Sequence, residues 1–270
     1  HVLTLGATLH RLEVGAGAGR RNVVLGHRTP IDALASTAYL GATVGRYANR
    51  IAGGRFELDG AEVQVGAHDR GNSLHGGPEG FDRRLWEVVE QGDVHAVLRL
   101  VSPDGDQGFP GRVTALVRFG VAGDLMRVEH EATTDAPTLV NLTNHAYLNL
   151  DGEVTVDGHV LTVTAGHYLP VDATGIPLGS WLPVAGTALD LRAPTRVGDV
   201  VASDDEQVRL VGGVDHDFVL DGASDAEGWR TAAVLESPTS RVRAVLRTDQ
   251  PGLQVYTGNA LDGRPYGPHA

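Results

Sequence analysis

The spacing of apolar residues restricts this chain most, because they recur at every second position far more than at the 3.6-residue interval of a helix. Residues 84–90 (RLWEVVE), 94–101 (VHAVLRLV), 112–121 (RVTALVRFGV) and 125–134 (LMRVEHEATT) alternate or run apolar between Gly, Asp and Pro. This pattern predicts extended strands. The same signal returns at 160–164, 231–236, 241–247 and 252–257. Asp-Gly pairs at 59–60, 104–105, 151–152, 157–158 and 221–222 separate many of these runs, and Asp-Gly favours tight reversals because both residues tolerate positive φ. Helix evidence is confined to 199–210, acidic early and carrying Val208 and Leu210 late, a segment that could equally be a loop with one turn of helix. Many strands, few helices and no dividing linker predict an all-β chain, with residues 1–270 forming a single domain built as a large antiparallel β-sandwich.

Composition narrows the chemistry. With 22 basic residues against 34 acidic ones the net charge is −12, which repels polyanions and argues against nucleic acid or an anionic membrane surface as partner. No run reaches the ~18 apolar residues that span a bilayer. A soluble, cytoplasmic protein is expected, with a removed signal peptide as the alternative. There is no cysteine, so disulfides, thiolate metal sites and a Cys nucleophile are excluded together. Every basic residue is Arg; Schiff-base catalysis, pyridoxal-phosphate attachment and a Walker-type phosphate loop all need a Lys amine. Asp, Glu, His, Tyr and Arg remain to carry any chemistry.

Several polar clusters stand out. Residues 141–152 (NLTNHAYLNLDG) set His145 among Asn144, Tyr147 and Asn149; an imidazole, with a reference pKa of about 6.5, exchanges protons near neutrality. Residues 45–51 (GRYANRI) place Asn49 and Arg50 beside an aromatic ring, a mixture suited to bonding hydroxyls. His75 precedes two glycines in 72–77 (NSLHGG), which let backbone or ligand approach closely. On a strand at 214–218 (VDHDF), Asp215 and Asp217 would share one face and His216 take the other; Gln254 and Tyr256 would likewise share a face. Taken singly, each cluster also has a purely structural explanation.

In chain order, the blocks GRYANRI, NSLHGG, DGDQGFPG, NLTNHAYLNLDG, YLPVDATGIPLG, VDHDF and GLQVYTGN resemble the aldose 1-epimerase (galactose mutarotase) family, from about Leu40 to Gly263. The resemblance implies that family's antiparallel β-supersandwich, in agreement with the strand pattern. It implies interconversion of the α and β anomers of a free aldose such as galactose or glucose, with a monosaccharide as ligand and no cofactor or metal. Position by position, it makes His145 the general acid on the ring oxygen and His75 a second pocket histidine. It makes Asn49 and Arg50 contacts to sugar hydroxyls, Asp215 an acceptor for hydroxyls away from the anomeric carbon, and Gln254 a binding residue. Tyr256 is implied as a pocket neighbour, and His216 is expected to be structural.

The family's general base is a glutamate in a segment resembling Gly-Phe-Cys-Leu-Glu-Thr-Gln after the YTGN block, and no such segment occurs up to Ala270. Glu131 and Glu236 fall in strand patterns outside the matching blocks, and Glu79 in a Gly-Pro-rich loop. The expectation is that the domain is incomplete at both ends. The competing reading is a noncatalytic sugar-binding or regulatory module that has lost the base. A metal site at His75, His145 and Asp215 is disfavoured by the absence of paired His-xxx-His or equivalent local spacing. Sugar preference, acceptance of a sugar phosphate and oligomeric state are not fixed by these residues.

Overall fold

Glu87–Gln91, His95–Ser102, Val113–Ala122 and Leu125–Thr134 form a four-stranded antiparallel meander in sequence order. Along the third strand Val113, Ala115, Val117 and Phe119 are buried. Ala115, Val117 and Phe119 pack with Leu98, Leu100, Phe81, Trp86, Ala7 and Leu9 in one apolar cluster. Fully burying each large side chain of this kind contributes about 1.5–3 kcal/mol. The computed structural model describes residues 1–15 and 19–261, and these gather into two compact units, the first ending at Leu148 and the second beginning at Asn149.

Short ladders complete the first unit. Thr43–Val44 pairs with Thr143–Asn144, and Arg50–Ile51 with Ser73–Leu74. The hairpin of Arg55–Leu58 and Ala61–Gln64 turns on Asp59 and Gly60, whose φ values of +51° and +80° are those of the tight reversal expected from Asp-Gly.

The second unit holds two four-stranded antiparallel sheets. One runs Thr195–Arg196, Val160–Val163, Arg230–Glu236, Arg243–Thr248; the other runs Leu182–Pro183, Ala165–Tyr168, Asp215–Leu220, Gly252–Tyr256. Phe218, Leu189, Leu191, Val163, Val184 and Val208 belong to its core. Each long strand expected from the alternation is present, with ends displaced by three residues or fewer.

The candidate helix at 199–210 is two helices, Val197–Val201 and Glu206–Val211. Asp205 divides them: it leaves the helical conformation and its carboxylate accepts the Gln207 N–H at 2.9 Å as an N-cap, while Gly212 at φ +74° ends the second helix. Pro30–Ala35 is a further short helix, opened by a reciprocal capping box between Thr29 and Asp32. No helix of the described residues is long and apolar enough to cross a membrane.

One buried cation braces the first unit. Arg46 is 2% exposed. Its Nη1 donates to the carbonyls of Pro110 and Gly111, both at 2.8 Å, and its Nη2 donates to the Pro103 carbonyl at 2.9 Å and Ser102 Oγ at 2.6 Å. Ser102 Oγ in turn donates to Asp106 at 2.6 Å, and the guanidinium carbon lies 5.7 Å from the Phe109 ring centroid. The block DGDQGFPG is thus a loop whose carbonyls converge on one side chain.

Replacing that cation strands several buried acceptors at once. Arg46→Met should destabilise the protein by about 3–5 kcal/mol, seen as a lower denaturation midpoint. A loss below about 1 kcal/mol would show that the loop carbonyls find other donors.

Candidate active site

Residues 41–51 form the spine on which the imidazoles are hung. The segment from Asn141 is zipped to it: Asn141 N donates to Arg46 O at 3.0 Å, Ala48 N to Asn141 O at 2.8 Å, and His145 N to Ala42 O at 2.8 Å, while Gly41 N donates back to His145 O at 2.8 Å. Asn144 Nδ2 adds a bond to Gly41 O at 2.8 Å. On the following stretch, Arg50–Ile51 pairs with Ser73–Leu74, and His75 N donates to Asn49 O at 3.1 Å. Two segments some seventy residues apart, ~70 being the separation that loop closure must bridge, are thereby fixed to the same eleven-residue run.

The consequence is a cluster of rings. His75 and His145 stand 5.2 Å apart between centroids at 88°, with Tyr147 5.1 Å from His145. Tyr39 lies 4.7 Å from His75 and 5.7 Å from His145. His75 Nδ1 accepts the Asn49 backbone N–H at 3.0 Å, so in the neutral ring the proton sits on Nε2. Burial, reinforced by His145 and Arg50, holds His75 well below its ordinary imidazole value. It is a neutral hydrogen-bond donor at neutral pH. The backbone of Tyr39, Asn49 and His75 is left-handed, with φ of +54°, +67° and +50°, a conformation non-glycine residues seldom adopt.

Arg50 is nearly buried, its side chain 11% exposed, and its Nε donates to Asp69 Oδ2 at 2.8 Å. Burial pushes the Asp69 carboxyl up, but the hydrogen bond and charge of Arg50 outweigh it and hold the group below the usual carboxylate range. With Nε committed, the Nη edge is what the guanidinium has for a ligand. Asp69 was not evident from the sequence; its only signal is an acid three residues before NSLHGG, where Asp69 and Asn72 exchange backbone bonds across a turn.

In the second unit, Asp215 and Gln254 meet directly, Gln254 Nε2 donating to Asp215 Oδ1 at 2.8 Å. The register pairs Asp215 with Tyr256 and Asp217 with Gln254, so these four share one face as the alternation requires. Asp217 has its carboxyl raised to about 6 by burial. His216 takes the other face, fully buried; its Nδ1 accepts the Asp215 N–H at 3.3 Å and its Nε2 bonds Gln207 Oε1 at 3.1 Å. Gln207 then grips Val171 through both backbone groups, which ties VDHDF to YLPVDATGIPLG. The Tyr256 hydroxyl accepts the Ala260 N–H at 2.8 Å.

Glu131 and Glu236 are strand residues facing arginines, 3.8 Å from Arg118 and 3.0 Å from Arg243. Among the described residues no group of three or more His, Asp or Glu is arranged to hold a metal ion.

A family model described as aldose 1-epimerase matches residues 1–270. The chain is 42% identical over 263 residues to the aldose 1-epimerase of Escherichia coli, an overlap covering 96% of this chain and 75% of that protein. It is 41% identical over 267 residues to the galactose mutarotase of Homo sapiens, covering 97% and 75%. Among solved structures, an aldose epimerase homologue from C. elegans superposes with a TM-score of 0.89 at 31% identity, covering 98% of this chain and 82% of that one. A galactose 1-epimerase from Lactobacillus acidophilus gives 0.84 at 34% identity, covering 97% and 75%. The all-β architecture expected from the strand pattern is that of galactose mutarotase-like proteins.

The close approach that seats His75 is sensitive to a single methyl group. Gly76 has φ +84°, and a Cβ there would lie 2.0 Å from the Gly45 carbonyl oxygen. Gly76→Ala should therefore cost more than about 2 kcal/mol and displace the His75 ring. Unchanged thermal stability with an unchanged His75 NMR signal would contradict this account.

Proposed function

The chain belongs to the aldose 1-epimerase family, and from that premise we propose that it interconverts the α and β anomers of a free aldose such as galactose or glucose by acid and base catalysis. One family model spans residues 1–270, which supports reading both units as a single epimerase domain. A cytoplasmic setting goes with this reading.

The observation that carries the assignment is the perpendicular pair His75 and His145 at 5.2 Å. Opening a pyranose requires the ring oxygen to gain a proton as its bond to the anomeric carbon breaks, while the anomeric hydroxyl loses one. The resulting aldehyde turns about one bond and closes on its other face. His145 is assigned the proton transfer to the ring oxygen. His75, whose Nδ1 is occupied by the Asn49 N–H, offers Nε2–H as a fixed donor to the same region of the sugar.

Arg50, oriented through Asp69, supplies donors to hydroxyls, and Asn49 accompanies it. Asp215, held by Gln254, accepts from hydroxyls away from the reacting carbon. The glutamate that the family resemblance assigns as base is not among residues 1–270. Glu131 and Glu236 are poor substitutes because each is engaged with an arginine on a sheet strand.

Polarimetry on freshly dissolved α-glucose or α-galactose with full-length protein should show equilibration well above the buffer rate. A rate equal to buffer would leave only a noncatalytic sugar-binding module. His145→Ala should lower turnover by about 10²–10⁴-fold with little change in melting temperature; parallel losses of activity and stability would mean the imidazole is chiefly structural. Arg50→Ala should raise KM more than it lowers kcat, since a guanidinium donates hydrogen bonds but does not exchange protons. A reduced kcat at unchanged KM would reverse that assignment.

A further inference from the structure

Tyr39 stands just ahead of the stretch in which the chain matches the family's motif blocks, yet it touches both imidazoles. Its ring centroid is 4.7 Å from that of His75 at 70°, an edge-on contact, and 5.7 Å from that of His145 at 31°. With the 5.2 Å separation of the two histidines, the three rings form a closed triangle. Tyr147 bounds His145 from a further direction at 5.1 Å. The phenol therefore lies against both imidazoles, at separations within the range of aromatic contacts.

The backbone gives the same indication. Tyr39 is left-handed at φ +54°, which is unusual for a bulky residue and persists only where the surroundings over-determine it. Its carbonyl accepts the Ala42 N–H at 3.0 Å, closing a turn that leads into Gly41 and Ala42, the residues bonded to His145. The ring and the imidazole are thus set by one stretch of backbone. Filling the core does not explain the placement, since the residue is only half-buried and also borders a small cavity with Thr8, His10, His27 and Asp82.

The protonation state argues against a role as base and makes the phenol a poor proton donor. Burial, reinforced by Asp82, pushes the phenol up to about 12, so it stays neutral beside the imidazoles at any working pH.

We propose that Tyr39 is a positioning residue for the proton chemistry: its ring wedges His75 and His145 into their perpendicular arrangement, so that a bound sugar meets two preoriented donors. The proposal deepens the epimerase reading and rests on it for the reaction, though the ring placement is measurable without turnover.

Two substitutions separate ring from hydroxyl. Tyr39→Phe keeps the wedge, and Tyr39→Asn removes it with a residue that tolerates the left-handed region. Tyr39→Leu, which fills volume without a flat ring, is the second ring-free variant and is held to the same outcomes if Tyr39→Asn folds poorly. Tyr39→Phe should leave kcat within about 2-fold and the imidazole carbon–proton NMR signals of His75 and His145 in place. The ring-free variant should lower kcat by about 10- to 100-fold, with KM changed less than about 3-fold, and move both imidazole signals toward free-histidine positions.

Unmoved signals or unchanged kcat in the ring-free variant would overturn the proposal. So would a Tyr39→Phe variant as impaired as the ring-free one, since the hydroxyl would then be the working part. Wild-type protein that fails to equilibrate anomers, while the ring-free variant still shows the signal shifts, would count against the epimerase reading and leave the ring placement standing.

Discussion

The guanidinium of Arg46 sets the conditions for everything built around it. It lies at the middle of the spine that carries the imidazoles, and its forked donors occupy carbonyls at Pro103, Pro110 and Gly111 together with the Ser102 hydroxyl. The Gly111 carbonyl and the Ser102 hydroxyl are buried and the Pro103 and Pro110 carbonyls partly so, and leaving a buried acceptor unpaired costs about 1–3 kcal/mol. Burying the charge itself is tolerable because the loop brings Asp106 to Ser102 Oγ. Cation and loop therefore need each other. A lysine could not substitute, because three rotatable donors on a point charge do not span this planar set of acceptors.

From that anchor the site inherits its electrical character. Ionised groups near the rings are compensated in pairs, as Arg50 is by Asp69, while the rings stay neutral: His75 by burial and Tyr39 by a phenol raised to about 12. Neutral donors in a half-buried cluster suit an uncharged polyhydroxylated ligand, which offers hydroxyls rather than charge.

Some of this was legible in the sequence and some was not, for reasons of range. The meander could be read because Val113 to Phe119 alternate for long enough to display a period. The two-residue ladders at Thr43–Val44 and Arg50–Ile51 show no period at all, and they are what bring the imidazoles together. The segment 199–210, readable as one helix or as a loop with a turn of helix, divides after Val201, and Asp205 looks equally acceptable as a first-turn acid and as a cap until its carboxylate is seen on the Gln207 N–H. Arg46 and Arg50 are the same residue type four positions apart in GRYANRI. The family resemblance singled out Arg50 for the ligand, but only tertiary contacts reveal that Arg46 braces the loop and that Arg50 faces Asp69. Tyr39 went unseen for a related reason: its role is a contact with residues 75 and 145, and nothing local records it.

The concentration of left-handed backbone at Tyr39, Asn49 and His75 follows from the same geometry. Each carries a backbone penalty of about 1–2 kcal/mol, and each contributes a group that no regular ladder position would deliver. Asn49 turns its N–H onto an imidazole nitrogen, His75 folds back over that N–H, and Tyr39 aims its ring at both histidines. A regular strand would send these side chains alternately to opposite faces. The stability lost at three residues is offset by the zipper along residues 41–51 and by Arg46 beneath it. The rigid anchor and the strained site are two parts of one arrangement, since the strain would relax wherever the spine was free to move.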